Sequence, residues 1–87
     1  MDKARIADAL GLPRSTLTGE LRLHFDGNSR LVIEGHRGLQ EYAPERIRLR
    51  GRRLCLEVLG RELALESISV EDMVVVGEID SVGFEQG

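Results

Sequence analysis

The chain is poor in cysteine, proline and aromatic residues, and these shortages exclude several classes of protein. Its 87 residues include one cysteine, two prolines, two phenylalanines, one tyrosine and no tryptophan. The single cysteine, Cys55, cannot form an intrachain disulfide and suits a reducing compartment. No apolar run approaches the roughly 20 residues of a membrane span, and MDKARIADAL at the N-terminus lacks the apolar centre of a signal peptide. The sequence therefore predicts a cytoplasmic protein without a membrane span.

The length of the chain predicts one small domain. A chain of this size buries only roughly 60–65% of its unfolded surface, so the core is thin and a deep catalytic cleft is unfavourable. Association with another copy is a natural way to bury more apolar surface. We therefore expect a homo-oligomer, with a two-fold dimer as the default.

Charge is distributed unevenly along the chain, although the net charge is only −3. Residues 20–61 contain nine arginines and six acids, whereas residues 62–87 contain seven acids and no base. This complementarity predicts ion pairs within the fold or between copies.

The N-terminal segment has the pattern of a short helix. Residues 2–10 place Ile6 and Leu10 at helical spacing. Gly11 and Pro13 are typical of a helix end and prevent its continuation. This helix is expected to precede the main domain.

From residue 19 the apolar residues follow a period of two, which is typical of strands with one buried face. We expect a common core from Leu21, Leu23, Leu31, Ile33, Ile47, Leu49, Leu54, Leu56, Leu63 and Leu65. Gly51-Arg52 and Gly60-Arg61 are predicted as two-residue hairpin turns. In MVVVG, residues 73–77, Val74 and Val76 are the alternating positions, and the segment is a candidate for an apolar sheet edge.

These patterns predict an all-β fold, a single small domain of short, mostly antiparallel strands arranged as a meander or roll. Residues 1–18 form the preceding helix and turn, and residues 19–87 form the β-domain. A β-solenoid-like stack is the alternative, because strand spacing alone does not separate the two.

The segment IEGHRGLQEYAPERIRLRG, residues 33–51, concentrates polar side chains that invite an enzymatic interpretation. His36 beside Arg37 resembles a base with an anion-binding partner, and Glu41 with Glu45 resembles a carboxylate pair. However, Pro44 separates the two carboxylates, and nothing in the spacing fixes their distance. The chain also lacks a nucleophile motif, so we predict no enzymatic activity and no catalytic residues.

Metal and cofactor sites are also unexpected. His24, His36 and Cys55 lack the paired spacing of metal ligands, and the glycines form no phosphate-binding loop motif. We therefore predict no metal and no cofactor.

Arg46, Arg48 and Arg50 share one face of a predicted strand and form a basic stripe. Such a stripe is able to hold phosphates or an anionic membrane surface. No aromatic stacking platform accompanies it, and the whole chain is acidic, so we predict no nucleic-acid binding. Carboxylates on neighbouring strands, such as Glu57, favour ion pairing of these arginines.

Two segments resemble the YabP/YqfC family of sporulation proteins. They are GNSRLVIEGHRGLQEYAPERIRLRG from Gly27 and LEVLGRELALESISVEDMVVVGEIDSVGF from Leu56. The resemblance covers about residues 20–85 and is closer to the YqfC branch, whose members have a turn similar to Gly11-Leu12-Pro13. Gly35 departs from the pattern, since the branch usually has asparagine there.

The resemblance implies a non-enzymatic protein in the mother cell of a spore-forming bacterium. It is cytoplasmic, or held at a membrane through a partner, and a membrane protein of the YqfD type is the implied partner. The family signature is His36, Arg37, Gly38, Glu41, Tyr42 and Glu45, which either locks the fold or docks a partner. Two functions remain open: a binding or assembly module for sporulation, and an anion- or membrane-surface-binding module that uses the basic stripe.

Overall fold

The computed structural model describes residues 19–86, which form six strands and no helix. The strands are β1 (Arg22–Asp26), β2 (Arg30–Glu34), β3 (Gly38–Ala43), β4 (Arg46–Arg50), β5 (Leu54–Ile68) and β6 (Asp72–Gln86). They form one antiparallel sheet in the order β1-β2-β6-β5-β4-β3. The all-β antiparallel prediction is therefore confirmed, whereas the predicted helix over residues 2–10 lies outside the described residues.

The long hairpin of β5 and β6 divides the sheet into two halves that share these strands. The β4 half consists of β3, β4, residues 54–61 of β5 and residues 78–86 of β6. The β2 half consists of β1, β2, residues 64–68 of β5 and residues 72–76 of β6. A simple meander would pair β2 with β3, but β2 pairs with β6 instead, so the strands form one open sheet that is not a simple meander.

Both halves contribute to one apolar core. Its buried members are Leu31, Ile33, Ile47, Leu49, Leu56, Val58, Leu63, Met73, Val75 and Ile79. Three of the other leucines predicted for the core, Leu21, Leu23 and Leu65, are partly buried and pack against it. Leu54 is partly buried but is not part of this cluster. The period-two pattern thus assigns the buried faces of β2, β4 and the first part of β5 correctly.

The pairing of β5 with β6 is irregular where the two halves meet, as at bulges that bend a strand, and glycines allow the close approach of the strands there. The pairing of β5 with β6 shifts register between Leu59 and Gly60. A Cβ on Gly60 would overlap the carbonyl oxygen of Glu78. Gly77 has a φ of 131°, and a Cβ there would lie 2.6 Å from the carbonyl oxygen of Glu62.

The predicted turn at Gly60-Arg61 is therefore wrong. Gly60 lies inside β5, at a bulge, and its N–H donates to the carbonyl oxygen of Glu45 at 3.1 Å. A glycine followed by a polar residue is common both to hairpin turns and to bulges. Here Gly60 allows β5 and β6 to approach closely, and the chain does not reverse direction at this residue.

The MVVVG segment is also placed differently from the prediction. Val75 pairs with Leu31 of β2 on one side and with Leu65 of β5 on the other, so the segment lies inside the sheet and not at its edge. Met73 and Val75 face the core, whereas Val74 lies on the opposite face. Since Val74 is only 8% exposed, both faces of this segment are covered, which explains its uninterrupted apolar sequence.

Candidate functional site

The signature loop, residues 35–37, connects β2 to β3 and is tied to the turn between β5 and β6. The N–H of Gly35, whose φ is 86°, donates to the carbonyl oxygen of Glu71 at 3.1 Å. His36 Nε2 lies 2.9 Å from the carbonyl oxygen of Ser69 and 3.1 Å from that of Asp72. Because carbonyl oxygens only accept, Nε2 carries the proton and donates to them. His36 thus holds two distant loops together.

The β5–β6 turn is itself fixed by Ser69. Its hydroxyl oxygen accepts hydrogen bonds from the N–H groups of Glu71 and Asp72, at 3.3 and 3.1 Å. The same hydroxyl donates to the Asp72 carboxylate at 2.9 Å. This network orders the turn, while Ile68 and Val70 beside it project into solvent with 53% and 93% exposure.

These exposed side chains line an apolar groove next to the signature loop. The groove has a volume of about 390 Å³ and is lined by His36, Arg37, Gly38, Leu39, Ile68 and Val70. Its apolar side chains come from β3 on one wall and from the end of the β5–β6 hairpin on the other. The groove therefore combines signature residues with apolar side chains that the fold leaves uncovered.

The remaining signature residues lie along β3 and the turn after it. The Tyr42 hydroxyl accepts a hydrogen bond from the N–H of Leu65 at 3.1 Å, which joins the edge strand of the β4 half to the β2 half. Glu41 lies 3.5 Å from the Arg46 guanidinium. Glu45 contributes its backbone carbonyl to the bend at Gly60. The polar groups of the signature thus hold strands and loops in place.

The predicted basic stripe is divided between ion pairs and a different site. Arg46 Nη2 lies 2.6 Å from Glu57 Oε2, and Arg48 Nη2 lies 2.7 Å from Glu85 Oε2. The hydrogen bond to Glu57 raises the pKa of Arg46 above its usual value. No ion pair within residues 19–86 joins Arg50 to a carboxylate.

Arg50 instead belongs to a cavity that the sequence did not suggest. The cavity measures about 260 Å³ and is lined by Arg37, Arg50, Gly51, Arg52, Arg53 and Leu54. We call it the arginine cavity. Arg37 approaches Arg50 because β3 is antiparallel to β4, with Gly38 opposite Arg50. A hairpin with Pro44-Glu45 as its turn is the sequence signal that would have placed these two arginines together.

Metal and membrane features are not found in the part of the chain that the structure describes. Residues 19–86 contain no group of three or more histidine, cysteine or acidic side chains placed to hold a metal ion. They also contain no helix long and apolar enough to cross a bilayer. Cys55 is a free, buried thiol.

Comparison with known proteins gives one family. The model of the YabP family matches residues 18–87, which is most of the chain and includes the groove and the arginine cavity. No curated protein and no solved structure matches the chain. The match agrees with the predicted resemblance at the level of the family, and it does not separate the YqfC branch from others.

Proposed function

Because the chain belongs to the YabP family, a family associated with sporulation, we propose that it acts in the mother cell as a non-enzymatic module that binds a protein partner. The observation that carries this proposal is the apolar groove. The groove places exposed side chains of Leu39, Ile68 and Val70 beside the signature loop. Exposed apolar side chains grouped in a concave surface are typical of a protein-binding site.

The groove is built to persist in the free protein. The side chains of His36 and Ser69 fix its two walls through hydrogen bonds to backbone groups. A wall that is already ordered loses little conformational entropy when a partner binds. Burying each exposed aliphatic side chain contributes about 1.5–3 kcal/mol, so two or three of them suffice as an anchor for an apolar segment of the partner.

A membrane protein of the YqfD type is the partner that the family resemblance implies. In this arrangement the chain would remain in the cytoplasm and reach the membrane only through that protein. The ordered groove would receive an apolar segment from the cytoplasmic part of the partner. Catalysis is not part of the proposal, since the signature residues His36 and Tyr42 already hold internal hydrogen bonds.

The test is co-purification of the full chain with the YqfD-type protein of the same organism. The double variant Ile68→Ser/Val70→Ser should reduce recovery at least about tenfold, because each lost apolar contact exceeds 1.4 kcal/mol. Phe25→Ser/Leu59→Ser is the control, since it removes two exposed apolar side chains outside the groove. Equal recovery with both variants would exclude the groove, and no recovery with the wild-type chain would exclude this partner.

The alternative function, binding of anions or a membrane surface through Arg46, Arg48 and Arg50, has less support. Two of these arginines already contact carboxylates at 2.6 and 2.7 Å. An incoming phosphate would have to displace Glu57 and Glu85 from them.

A further inference from the structure

The arginine cavity brings together four guanidinium-bearing residues from two separate loops. Arg37 comes from the signature loop, whereas Arg50, Arg52 and Arg53 come from the end of β4 and the turn before β5. No acidic residue among residues 19–86 lines the cavity. Like charges gathered at one concave site create a strong positive potential, which favours an anion there.

The arginines of this cavity differ from most of those elsewhere in the sheet. A carboxylate lies within 4.0 Å of each of Arg30, Arg46, Arg48 and Arg61. Within residues 19–86, no such pair is made by Arg37, Arg50 or Arg53. The neighbouring acid across the sheet, Glu85, is held by Arg48. The charge of the cavity is therefore not neutralised by the ladder of ion pairs beside it.

Backbone contacts hold the cavity in shape. The N–H of Arg37 donates to the carbonyl oxygen of Arg50 at 2.7 Å, and that of Gly51 donates to the carbonyl oxygen of Leu54 at 2.8 Å. Gly51 is buried, and a Cβ there would lie 2.7 Å from Leu21 Cγ. The two segments that carry the arginines are thus joined to each other and packed against Leu21, the residue before β1, so the guanidinium groups start from fixed backbone positions.

The size of the cavity selects a compact ligand. Its volume of about 260 Å³ lies below the 300–1,000 Å³ that is usual for drug-sized molecules. A planar guanidinium presents two parallel N–H donors that match the oxygens of a phosphate or carboxylate. A tetrahedral oxyanion offers such oxygens in several directions at once, which suits donors that converge from two loops.

We propose that the arginine cavity binds a phosphate-type oxyanion, either a free phosphate or the phosphate of an anionic lipid headgroup. This site is separate from the apolar groove, although Arg37 contributes to the rims of both. It also replaces the predicted stripe, because only Arg50 of that stripe belongs to it. An extended nucleic acid is not the expected ligand, since none of Phe25, Tyr42 and Phe84 lines the cavity.

The first measurement is titration calorimetry of the full chain with inorganic phosphate and with pyrophosphate. The double variant Arg37→Gln/Arg53→Gln should bind pyrophosphate at least about tenfold more weakly. The reason is that the loss of one charge-assisted hydrogen bond already weakens binding about tenfold. Arg30→Gln/Arg61→Gln is the matched control, since it removes the same charge from exposed ion pairs elsewhere. The control should change the affinity less than about twofold, as surface charges act on the cavity only through a screened potential.

A second variant separates geometry from charge. Arg50→Lys keeps the positive charge but loses the two-pronged donor, so it should also weaken binding while leaving the thermal midpoint without ligand near that of the wild-type chain. This variant keeps the proposal falsifiable if the double variant unfolds. An unchanged affinity in Arg50→Lys and equal losses in the two double variants would show non-specific charge attraction and overturn the proposal.

Sedimentation with lipid vesicles distinguishes the two sources of phosphate. Binding to vesicles that contain phosphatidic acid, absent with neutral phosphatidylcholine vesicles and reduced by Arg37→Gln/Arg53→Gln, would identify a lipid headgroup. Binding of pyrophosphate without any binding to vesicles would identify a free phosphate compound. Failure to bind inorganic phosphate, pyrophosphate and anionic vesicles alike would overturn the proposal and leave the partner-binding groove unaffected.

Discussion

The two halves of the sheet share one core but present different outer faces. In the β4 half, the outer face carries Glu41, Arg46, Arg48, Glu57 and Glu85, which form a ladder of ion pairs across four strands. In the β2 half, the centre of the outer face is apolar, with Val32 opposite Val74.

Polar pairs in the β2 half lie beside that apolar centre. They join His24 to Glu34 at 3.5 Å and Arg30 to Glu66 at 2.6 Å. Two parts of one sheet can therefore share a core and still carry different kinds of side chain on their outer faces. We expect the shared core to make the halves unfold together, and salt to change the effects of substitutions on the two outer faces differently.

The largest expected effect tests whether the core joins the halves. Leu56→Ala in the β4 half and Ile33→Ala in the β2 half each truncate a fully buried side chain. Each should lower the free energy of unfolding by about 2–5 kcal/mol. Urea denaturation followed by circular dichroism should show a single transition for both variants. Two separate transitions, or an unchanged midpoint for Leu56→Ala, would contradict a shared core.

The next effect concerns the bend between the halves. Gly60→Ala places a Cβ against the carbonyl oxygen of Glu78 and should destabilise the protein by about 1–3 kcal/mol, as overpacking does. Gly83→Ala lies in the same strand pair but has no atom within 4 Å of its Cβ position, so it is the matched control. If both variants melt at the same temperature, the close approach at the bend does not constrain the sequence.

The halves also differ in their free edges, which bears on the oligomeric state. Residues 80–86 of β6 pair with β5 only, because β2 pairs with residues 72–76 and Asn28 in the turn before β2 bonds to Ile79. We expect two copies to associate along this edge, where Phe84 is 59% exposed.

Light scattering at micromolar concentration should therefore give a mass above the 9.7 kDa of one chain. Phe84→Lys should lower that mass, since it places a charge at the proposed contact. Leu59→Lys should not, because Leu59 lies between two paired strands. A mass of one chain at every concentration and salt would exclude self-association.

A smaller effect is expected at the ion-pair ladder. Glu57→Gln removes the carboxylate that contacts Arg46, so the variant should be less stable than the wild-type chain at low salt, and the difference should shrink at high salt. The pKa of Arg46 is raised above the usual value for arginine. The contribution of its ion pair to stability is therefore fully present below that usual value and is lost only as the pH rises through the raised pKa. Glu45→Gln, at an exposed turn, is the control in the same urea titration.

The smallest expected signal is binding to nucleic acid. A labelled oligonucleotide at about 150 mM salt should not bind more tightly than roughly 1 μM, the lower edge of the usual non-specific range. The reason is that Arg46 and Arg48 hold carboxylates, and none of Phe25, Tyr42 and Phe84 lines the arginine cavity to stack a base. Saturable binding below that concentration in fluorescence anisotropy would contradict this expectation.

The sequence predicts which face of a strand is buried better than it predicts which strands lie next to each other. Alternation places Ile33, Ile47 and Leu56 in the core, because side chains on a strand must alternate between its two faces. The same alternation fails at MVVVG. When both faces of a strand are covered, the strand has no polar residues, and the sequence does not show which positions face the core. Gly60 was misassigned because a glycine has the same local signature in a bulge and in a turn.

The candidate sites were harder to predict, because each is assembled from distant segments. His36 was identified in the signature, but its partners Ser69 and Asp72 come from another hairpin. The arginine cavity depends on the register between β3 and β4, where a shift of one residue would turn Arg50 to the other face. The spacing of residues along the chain does not determine the register between β3 and β4.

The pairing of β2 with the far end of the chain has a consequence for folding during synthesis. Leu31 pairs with Val75, so β2 has no second neighbour until β6 leaves the ribosome. The β5–β6 hairpin forms over a short turn, whereas closing the long intervening loop to add β2 is entropically slower. Until then β1 and β2 remain a two-stranded ribbon with the apolar side chains of Leu31 and Ile33 uncovered, and such ribbons are marginal in water. The nascent chain is therefore most prone to aggregate just before its last strand is complete.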